Sequence, residues 1–187
     1  MIEVRLHGRG GQGVVTAAEL IAIAAFHQNK YAQAFPFFGV ERQGAPVEAY
    51  CRISDQPISL RSQIYQPDFL IIQDPSLISD PRTLNGIKQQ AIVIINSEKE
   101  LNNLNLSKNI KVFTIPATSL ALEILGKPII NTALLGAFAA ATNLISLKAL
   151  EQAISEKFNE KNKELAAKNI RLAQKAYNYV INTTINK

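Results

Sequence analysis

The sequence is poor in the residues that build metal and redox sites. Among 187 residues it has one cysteine, Cys51, one methionine, no tryptophan and two histidines, His7 and His27. A disulfide within the chain is excluded, and cysteine clusters for zinc or iron–sulfur ligation are missing. We therefore predict no metal ligand and no catalytic residue. Cys51 is expected to be a buried apolar residue, and His7 a structural histidine whose hydrogen bonds are satisfied.

Long apolar runs are missing as well. The N-terminal residues contain no apolar run of signal-peptide length, and the most apolar stretch, residues 129–145, is interrupted by Asn131, Thr132, Thr142 and Asn143. This stretch predicts a buried helix rather than a membrane span. Together with the single unpaired cysteine, these features favour a cytoplasmic protein that has no contact with a membrane.

The charge is moderately positive, with a formal net charge of +5. Much of the lysine lies in residues 157–175, where acidic residues are interspersed, and this pattern is typical of an exposed helix face rather than a nucleic-acid site. A chain of this length favours one domain. We expect a single domain over residues 1–187, with a helical C-terminal part from about residue 131 to 187.

Short apolar runs alternate with helical segments along the chain. Residues 2–7 alternate apolar and polar side chains, as a strand does, and two short strands are predicted within residues 30–54. Three continuous apolar runs, typical of central parallel strands covered on both faces, are residues 68–74, 91–96 and 110–115. Helices are predicted over residues 14–26, 117–125, 132–141, 147–158 and 161–179. This order indicates an α/β fold with a mostly parallel sheet flanked by helices.

A glycine-rich segment joins the first predicted strand to the first predicted helix. Its sequence is Gly8-Arg9-Gly10-Gly11-Gln12-Gly13, which matches the pattern G-x-G-x-x-G. In this setting the glycines let a phosphate or another anion approach the backbone N–H groups at the helix N-terminus, and Arg9 can add a positive charge. The same glycines also suit a tight turn that binds no ligand, so the pattern leaves both interpretations open.

The ribose-binding half of a dinucleotide fingerprint is missing. Dinucleotide-binding domains carry an acidic residue about 20 residues after the glycines. Here residues 31–38 contain no acid, and Glu41 comes later, beyond Pro36 and Gly39 in a predicted loop. This argues against a plain NAD enzyme. A free-standing nucleotide-binding oxidoreductase of the Rossmann type is kept as the alternative function.

Two motifs together resemble a known family. Residues 8–20 and residues 33–47 (QAFPFFGVERQGAPV) closely resemble the gamma subunit of pyruvate (2-oxoacid):ferredoxin oxidoreductases, also called pyruvate synthase. Later landmarks such as Asp74-Pro75 and Asn131-Thr132 extend the resemblance to about residue 145. The second motif is more similar to the pyruvate and branched-chain versions than to the 2-oxoglutarate versions.

The resemblance implies a Rossmann-like subunit in a complex with alpha, beta and delta subunits. In that family thiamine diphosphate lies between alpha and beta, and iron–sulfur clusters lie on delta and usually on beta. The complex converts a 2-oxoacid and coenzyme A to acyl-coenzyme A and carbon dioxide, and it passes the electrons to ferredoxin. This chain is then expected to be non-catalytic and inactive alone, with coenzyme A as its candidate ligand.

The resemblance also indicates which residues bind. Glu41 and Arg42 are expected to contact a ligand or a partner subunit. Arg9 and Gln12 have two open roles, which are contact with coenzyme A or with backbone carbonyls of the alpha subunit, and Asn131 can serve as a helix cap or as a ligand contact. The predicted binding residues are Gly8, Arg9, Gly10, Gly11, Gln12, Gly13, Glu41, Arg42, Asn131 and Thr132.

Overall fold

The structure is a computed structural model that describes residues 1–37, 44–101, 104, 106–158 and 162–185. The strands of these residues are β1 (Ile2–Arg9), β2 (Tyr31–Phe37), β3 (Pro46–Ser54), β4 (Phe69–Ile72), β5 (Ile92–Asn96) and β6 (Lys111–Ile115). The helices are α1 (Val14–Phe26), α2 (Pro81–Leu84), α3 (Ala117–Leu125), α4 (Asn131–Thr142), α5 (Leu147–Phe158) and α6 (Lys163–Ile185), with a 3₁₀ turn at Pro75–Ser79.

The strands form a six-stranded sheet in the order β2-β3-β1-β4-β5-β6. Strands β1, β4, β5 and β6 are parallel, whereas β3 pairs antiparallel with both β1 and β2. The predicted α/β fold with a mostly parallel sheet flanked by helices is confirmed. Because β2 is an edge strand, Pro36 is tolerated within it, since its missing N–H is not needed on the open side.

Most predicted elements are present, and three differ in length or position. Helices α3 and α5 have the predicted bounds, and α6 continues to Ile185 rather than ending near residue 179. Strand β3 is nine residues long rather than short, because it has a pairing partner on each side. The prediction that residues 110–115 form a central strand was wrong, since β6 lies at the edge of the sheet.

Helix α4 is the centre of the core. Its residues 131–140 are all buried, which explains why this stretch of the sequence is almost entirely apolar. Helix α6 packs against it at very short range. A Cβ atom on Gly136 would lie 2.0 Å from the carbonyl oxygen of Ala173, so only glycine allows the two backbones to approach so closely.

Replacing Gly136 by alanine is expected to destabilise the protein. At a helix position with free space around it, replacing glycine by alanine stabilises the folded protein by up to about 1 kcal/mol. At Gly136 the added methyl group meets backbone that has no side-chain freedom to move away, and overpacking of this kind costs about 1–3 kcal/mol. Urea unfolding of Gly136→Ala measures the change. A free energy of unfolding equal to or above that of the wild type would contradict the close packing.

The second face of the sheet holds buried charged side chains. Arg5 donates hydrogen bonds from Nη2 to the carbonyl oxygens of Thr83 (3.0 Å) and Asn85 (2.7 Å). Arg52 is fully buried and donates to Glu3 from Nε at 2.9 Å. These guanidinium groups hold the short helix α2 and neighbouring loops against the strands on this face.

His7 lies on the same face and is 4% exposed. Its Nδ1 is 3.8 Å from Glu48 Oε1, and its Nε2 is buried with no hydrogen-bond partner among the described residues. The expectation that His7 is structural agrees with this burial, but the expectation that its hydrogen bonds are satisfied was wrong. Burial, together with the nearby Arg5 charge, lowers the pKa of His7 to about 3.

Cys51 is fully buried, as predicted, and burial raises the pKa of its thiol.

Stability is expected to fall as the pH drops below about 6.5. The unfolded chain binds a proton on His7 below the ordinary pKa of 6.5, whereas the folded chain does so only near pH 3. The free energy of unfolding therefore decreases with falling pH across this window, at up to about 1.4 kcal/mol per pH unit.

Urea unfolding between pH 7 and pH 5 tests this expectation. His7→Gln should remove much of the decrease. His27→Gln is the control and should keep it, because His27 lies at the surface beside Glu156, with 3.0 Å between Nε2 and Oε2. An unchanged pH dependence in His7→Gln would contradict the assignment.

Candidate functional site

The carboxyl ends of β1 and β4 lie at the point where the chain changes direction across the sheet, which is where an open α/β sheet forms a crevice. From β1 the chain passes through α1 to the β2–β3 hairpin on one side, and β4 begins the other side. In open α/β sheets, ligands bind outside the carboxyl ends of the strands at such a point. The glycine segment lies at this crevice, and Gln73 at the end of β4 donates its N–H to the carbonyl oxygen of His7 (2.8 Å).

The glycine segment is partly strand and partly turn. Gly8 and Arg9 belong to β1, because they pair with the first residues of β3, and the N–H of Gly10 donates to the carbonyl oxygen of Ala45 (2.9 Å). The turn itself contains Gly11 and Gly13, whose φ angles of 94° and 73° favour glycine. A Cβ atom on Gly8 would lie 2.6 Å from a methyl group of Val14, so this glycine lets α1 pack onto the strand end.

Gln12 closes the turn on itself. Its side-chain Oε1 accepts a hydrogen bond from the N–H of Arg9 at 2.8 Å, and its own N–H donates to the carbonyl oxygen of Arg9 at 3.0 Å. These two bonds hold the loop in shape, so the geometry supports a structural role for the Gln12 side chain.

Arg9 donates hydrogen bonds to two other segments of its own chain. It donates from Nε to Asp74 Oδ2 (2.6 Å), from Nη2 to Ser76 Oγ (2.7 Å) and from Nη1 to the carbonyl oxygen of Gly44 (3.0 Å). Partial burial acts to raise the pKa of Asp74, but hydrogen bonds from Ser76 and Arg9 outweigh it and lower the pKa. Asp74 is therefore ionised at neutral pH and neutralises Arg9, which is not a free cation at the loop.

The N-termini of α1 and α4 meet beside the glycine turn. Gly13 precedes α1 and has no side chain to cap it, and no side chain of the described residues accepts from the N–H groups of its first turn. Asn131 is the first residue of α4, and its Nδ2 lies 2.8 Å from the position that a Cβ atom on Gly13 would take. Each helix N-terminus carries about half a unit of positive charge. The arrangement is suited to bind an anion.

Asn131 and Thr132 have separate roles in the structure. Asn131 Oδ1 accepts from the N–H of Thr132 at 2.9 Å, which satisfies one donor of the first helical turn, while its Nδ2 faces the turn. Thr132 is fully buried and donates from Oγ1 to Asn169 of α6 at 2.9 Å, so it lies away from the crevice. The structure thus brings the glycine turn and Asn131 together.

Two other predicted binding residues, Glu41 and Arg42, lie outside the described residues.

Gln73 is a candidate site residue that the sequence analysis missed. It is 1% exposed, and both its Nε2 and its Oε1 are buried without a hydrogen-bond partner in the part of the chain that the structure describes. Its Cβ lies 3.2 Å from the position of a Cβ on Gly8, on the sheet face that carries α1 and α4. Burying an unpaired amide costs about 1–3 kcal/mol. Its position directly after a parallel strand was the signal that could have identified it.

The crevice does not resemble a ribose-binding site. In a dinucleotide-binding fold, a parallel strand beside β1 ends in the acid that binds the ribose. Here the antiparallel β3 takes that place, and its Glu48 accepts a hydrogen bond from the hydroxyl of Tyr50 (2.8 Å). The geometry therefore gives the alternative NAD-type function no support.

Other site types also find no support among the described residues. They contain no group of three or more His, Cys, Asp or Glu side chains that could hold a metal ion. Their helices include none that is both long enough and apolar enough to cross a membrane.

Comparison with known proteins identifies the family. Residues 3–179 match the family described as pyruvate ferredoxin/flavodoxin oxidoreductase. The chain is 49% identical to pyruvate synthase subunit PorC of Methanocaldococcus jannaschii over 97% of this chain and 98% of the relative. It is 52% identical to the pyruvate/ketoisovalerate oxidoreductases common subunit gamma of Pyrococcus furiosus over 95% of this chain and 96% of the relative.

A solved structure agrees with these sequence matches. The crystal structure of pyruvate oxidoreductase subunit PORC from Thermotoga maritima superposes with a TM-score of 0.83 at 32% identity, covering 95% of each chain. These relatives are subunits of larger enzymes, which gives no support to a free-standing oxidoreductase. The chain belongs to the pyruvate ferredoxin/flavodoxin oxidoreductase family, as the gamma subunit of a 2-oxoacid:ferredoxin oxidoreductase.

Proposed function

We propose that this gamma subunit binds the phosphate part of coenzyme A in the crevice between the N-termini of α1 and α4, within a cytoplasmic complex that also contains alpha, beta and delta subunits. The complex oxidatively decarboxylates a 2-oxoacid, transfers the acyl group to the thiol of coenzyme A and passes the electrons to ferredoxin. Thiamine diphosphate and the iron–sulfur clusters belong to the partner subunits. The gamma subunit holds coenzyme A and helps to cover the active site.

The observation that carries this proposal is the contact between Asn131 and the glycine turn. Asn131 Nδ2 is a donor that adjoins the uncapped N-terminus of α1, and the N-terminus of α4 begins at the same residue. Arg9 is neutralised by Asp74, so the attraction for an anion comes from N–H groups and helix dipoles. Gln73 supports the proposal, because a buried amide without partners at the same strand ends is consistent with a site completed by binding.

The residues of this chain fit a binding role rather than cofactor chemistry. An iron–sulfur cluster needs several thiolates, and the chain has one cysteine, which is fully buried. Glu41 and Arg42 remain predicted contacts with coenzyme A or a partner subunit, and their proximity in sequence to Gly44 is the support for this prediction. Thr132 is not kept as a contact, because it is fully buried and its hydroxyl donates to Asn169 of α6.

We further propose that the 2-oxoacid is pyruvate or a branched-chain oxoacid. The support is the motif at residues 33–47 and the name of the Pyrococcus furiosus relative, which is a subunit common to pyruvate and ketoisovalerate oxidoreductases.

Asn131→Asp is expected to weaken coenzyme A binding in the assembled complex. The new carboxylate keeps the shape and the acceptor of asparagine but places a negative charge where a phosphate is bound. The KM for coenzyme A should rise at least about tenfold, equivalent to ~1.4 kcal/mol, with kcat nearly unchanged. An acidic residue at a helix N-terminus interacts favourably with the helix dipole, but Asn131 is 4% exposed and burial of a carboxylate is costly. Urea unfolding of the variant therefore checks that it is folded before the KM values are compared.

The matched control is Asn162→Asp. Asn162 Oδ1 accepts from the N–H of Leu165 at 3.1 Å at the start of α6, so the same substitution there adds a charge at a helix N-terminus away from the crevice. Asn162→Asp should keep the wild-type KM. An unchanged KM in Asn131→Asp would contradict the coenzyme A site and leave the crevice a structural feature.

The purified gamma chain alone is expected to be inactive, because it lacks the groups that perform the redox steps. A viologen assay with pyruvate and coenzyme A should show no reduction by the chain alone. The tagged chain purified from its native cells under anaerobic conditions should bring down a thiamine-diphosphate subunit and an iron–sulfur subunit with activity. Oxoacid-dependent viologen reduction by the chain alone would refute the proposed division of labour.

A further inference from the structure

Gln73 differs from the other buried polar side chains. Among the described residues, a buried polar atom without a hydrogen-bond partner occurs in Arg5, His7, Gln33 and Gln73. Within this group, only Gln73 lacks a partner for both a donor, Nε2, and an acceptor, Oε1. The other three lie on the opposite face of the sheet, where Gln33 is the cross-strand neighbour of Arg52. The unpaired amide of Gln73 therefore needs an explanation of its own.

Gln73 lies below the space between the N-termini of α1 and α4. It directly follows β4, which lies between β1 and β5 in the sheet. Helix α1 contacts β1, and helix α4 contacts β5. The position of a Cβ atom on Gly8 lies 3.2 Å from Gln73 Cβ and 2.6 Å from a methyl group of Val14, so the Gln73 side chain begins beside the first turn of α1. Its amide thus belongs to the crevice.

The two unpaired atoms need a partner that both donates and accepts hydrogen bonds. Phosphate oxygens act as acceptors at neutral pH. A phosphate would therefore satisfy Nε2 and leave Oε1 buried without a donor, which is unfavourable. An amide group offers both an N–H donor and a carbonyl acceptor. Coenzyme A carries amide groups in the pantetheine arm that is joined to its phosphates.

The burial of Gln73 favours a narrow ligand group. The residue is 1% exposed, so a group that reaches its amide has to enter a space from which water is excluded. The adenine ring of coenzyme A also has donors and acceptors, but it is wide and flat. The pantetheine arm is a thin chain, and the glutamine side chain has three rotatable bonds with which to turn its amide toward that arm.

We propose that Gln73 binds the amide groups of the pantetheine arm of coenzyme A, with Nε2 donating to a carbonyl oxygen and Oε1 accepting from an N–H. The inference rests on the proposed function and deepens it, because Gln73 makes the crevice selective for coenzyme A over nucleotides that share its phosphates. An amide that is unpaired in the free chain lowers stability. A binding role explains why such a residue is present, whereas a structural role does not.

Gln73→Met tests the contact. Methionine has a similar length and volume but no amide. In the complex reconstituted with the other subunits, the KM for coenzyme A should rise at least about tenfold with kcat nearly unchanged. The purified variant chain should unfold at the same or a higher urea concentration than the wild type, because an apolar group replaces an unpaired amide. An unchanged KM would overturn the inference and leave the amide as the site of a permanently bound water.

The matched control is Gln28→Met, since the amide of Gln28 has both of its partners. Its Nε2 donates to the carbonyl oxygen of Leu144 at 3.3 Å, and its Oε1 accepts from the N–H of Ser146 at 2.5 Å. Loss of these bonds should lower the urea concentration at which the chain unfolds and leave the KM at its wild-type value. An equal rise of the KM in both variants would overturn the inference, because the loss of any paired or unpaired amide would then affect the site.

The nucleotide half of coenzyme A shows which part of the ligand Gln73 binds. The probe 3′-phosphoadenosine diphosphate has the phosphates and the adenine but no pantetheine arm, and it should compete with coenzyme A in the wild-type complex. Its inhibition constant should stay within about twofold of the wild-type value in Gln73→Met and rise at least about tenfold in Asn131→Asp. A rise of about tenfold in Gln73→Met would overturn the inference, because Gln73 would then act on the nucleotide or on the shape of the glycine turn.

These outcomes are distinct from failure of the proposed function. If Asn131→Asp weakens the binding of both coenzyme A and the nucleotide while Gln73→Met keeps the wild-type KM, only the role of Gln73 is wrong. If Asn131→Asp changes neither constant, the proposed function fails and the inference fails with it.

Discussion

The close packing of α4 between the sheet and α6 is the constraint on which the rest of the structure depends. An almost wholly apolar helix has to be covered on all sides, and Gly136 lets α6 approach until a side chain no longer fits between the backbones. The N-terminus of α4 is then held at a fixed place in the interior. Its first N–H groups need acceptors there, and Asn131 Oδ1 supplies one for Thr132. The crevice beside the glycine turn is a consequence of this packing.

The polar side chains around the glycine turn mainly hold the turn in shape. Arg9 and Gln12, the residues that most resemble ligand contacts in the sequence, form hydrogen bonds with their own chain. The groups left to face an anion are backbone N–H groups, two helix N-termini and the Asn131 amide. Such donors are fixed by the fold before a ligand binds, so little reorganisation is needed on binding. Under the proposed function, this subunit contributes to the reaction by holding a substrate in place.

The two faces of the sheet are adapted to different tasks. The face under α1 and α4 is apolar and carries the crevice at its edge. The opposite face buries Arg5 and Arg52, whose guanidinium groups bind carbonyl oxygens of the loops that cover it. Buried charges of this kind tie irregular segments to defined positions, although their net contribution to stability is small. The loops and the short helix α2 that cover this face are thereby held in place.

The sequence by itself determined the class of fold, the ends of several elements and the family. Periodicity and apolar runs are local properties, and they sufficed to predict β4, β5, α3 and α5. Helix α3 ends at Gly126, whose φ of 68° lies in the left-handed region that favours glycine. The paired motifs at residues 8–20 and 33–47 sufficed for the family, because both combine glycine spacing with specific side chains.

Only the tertiary structure decided what the polar residues do. Arg9 and Asp74 are 65 positions apart, and Thr132 and Asn169 are 37 apart, so neither pairing leaves a local pattern. The insertion of β3 antiparallel between β2 and β1 likewise depends on long-range pairing, and it is what removed the place of a ribose-binding acid. Gln73 ends an ordinary apolar strand in the sequence, and its unpaired amide follows from what packs around it. Local patterns fix which segments become helices and strands, whereas the partners of a buried polar side chain are chosen by the packing of segments that are distant in sequence.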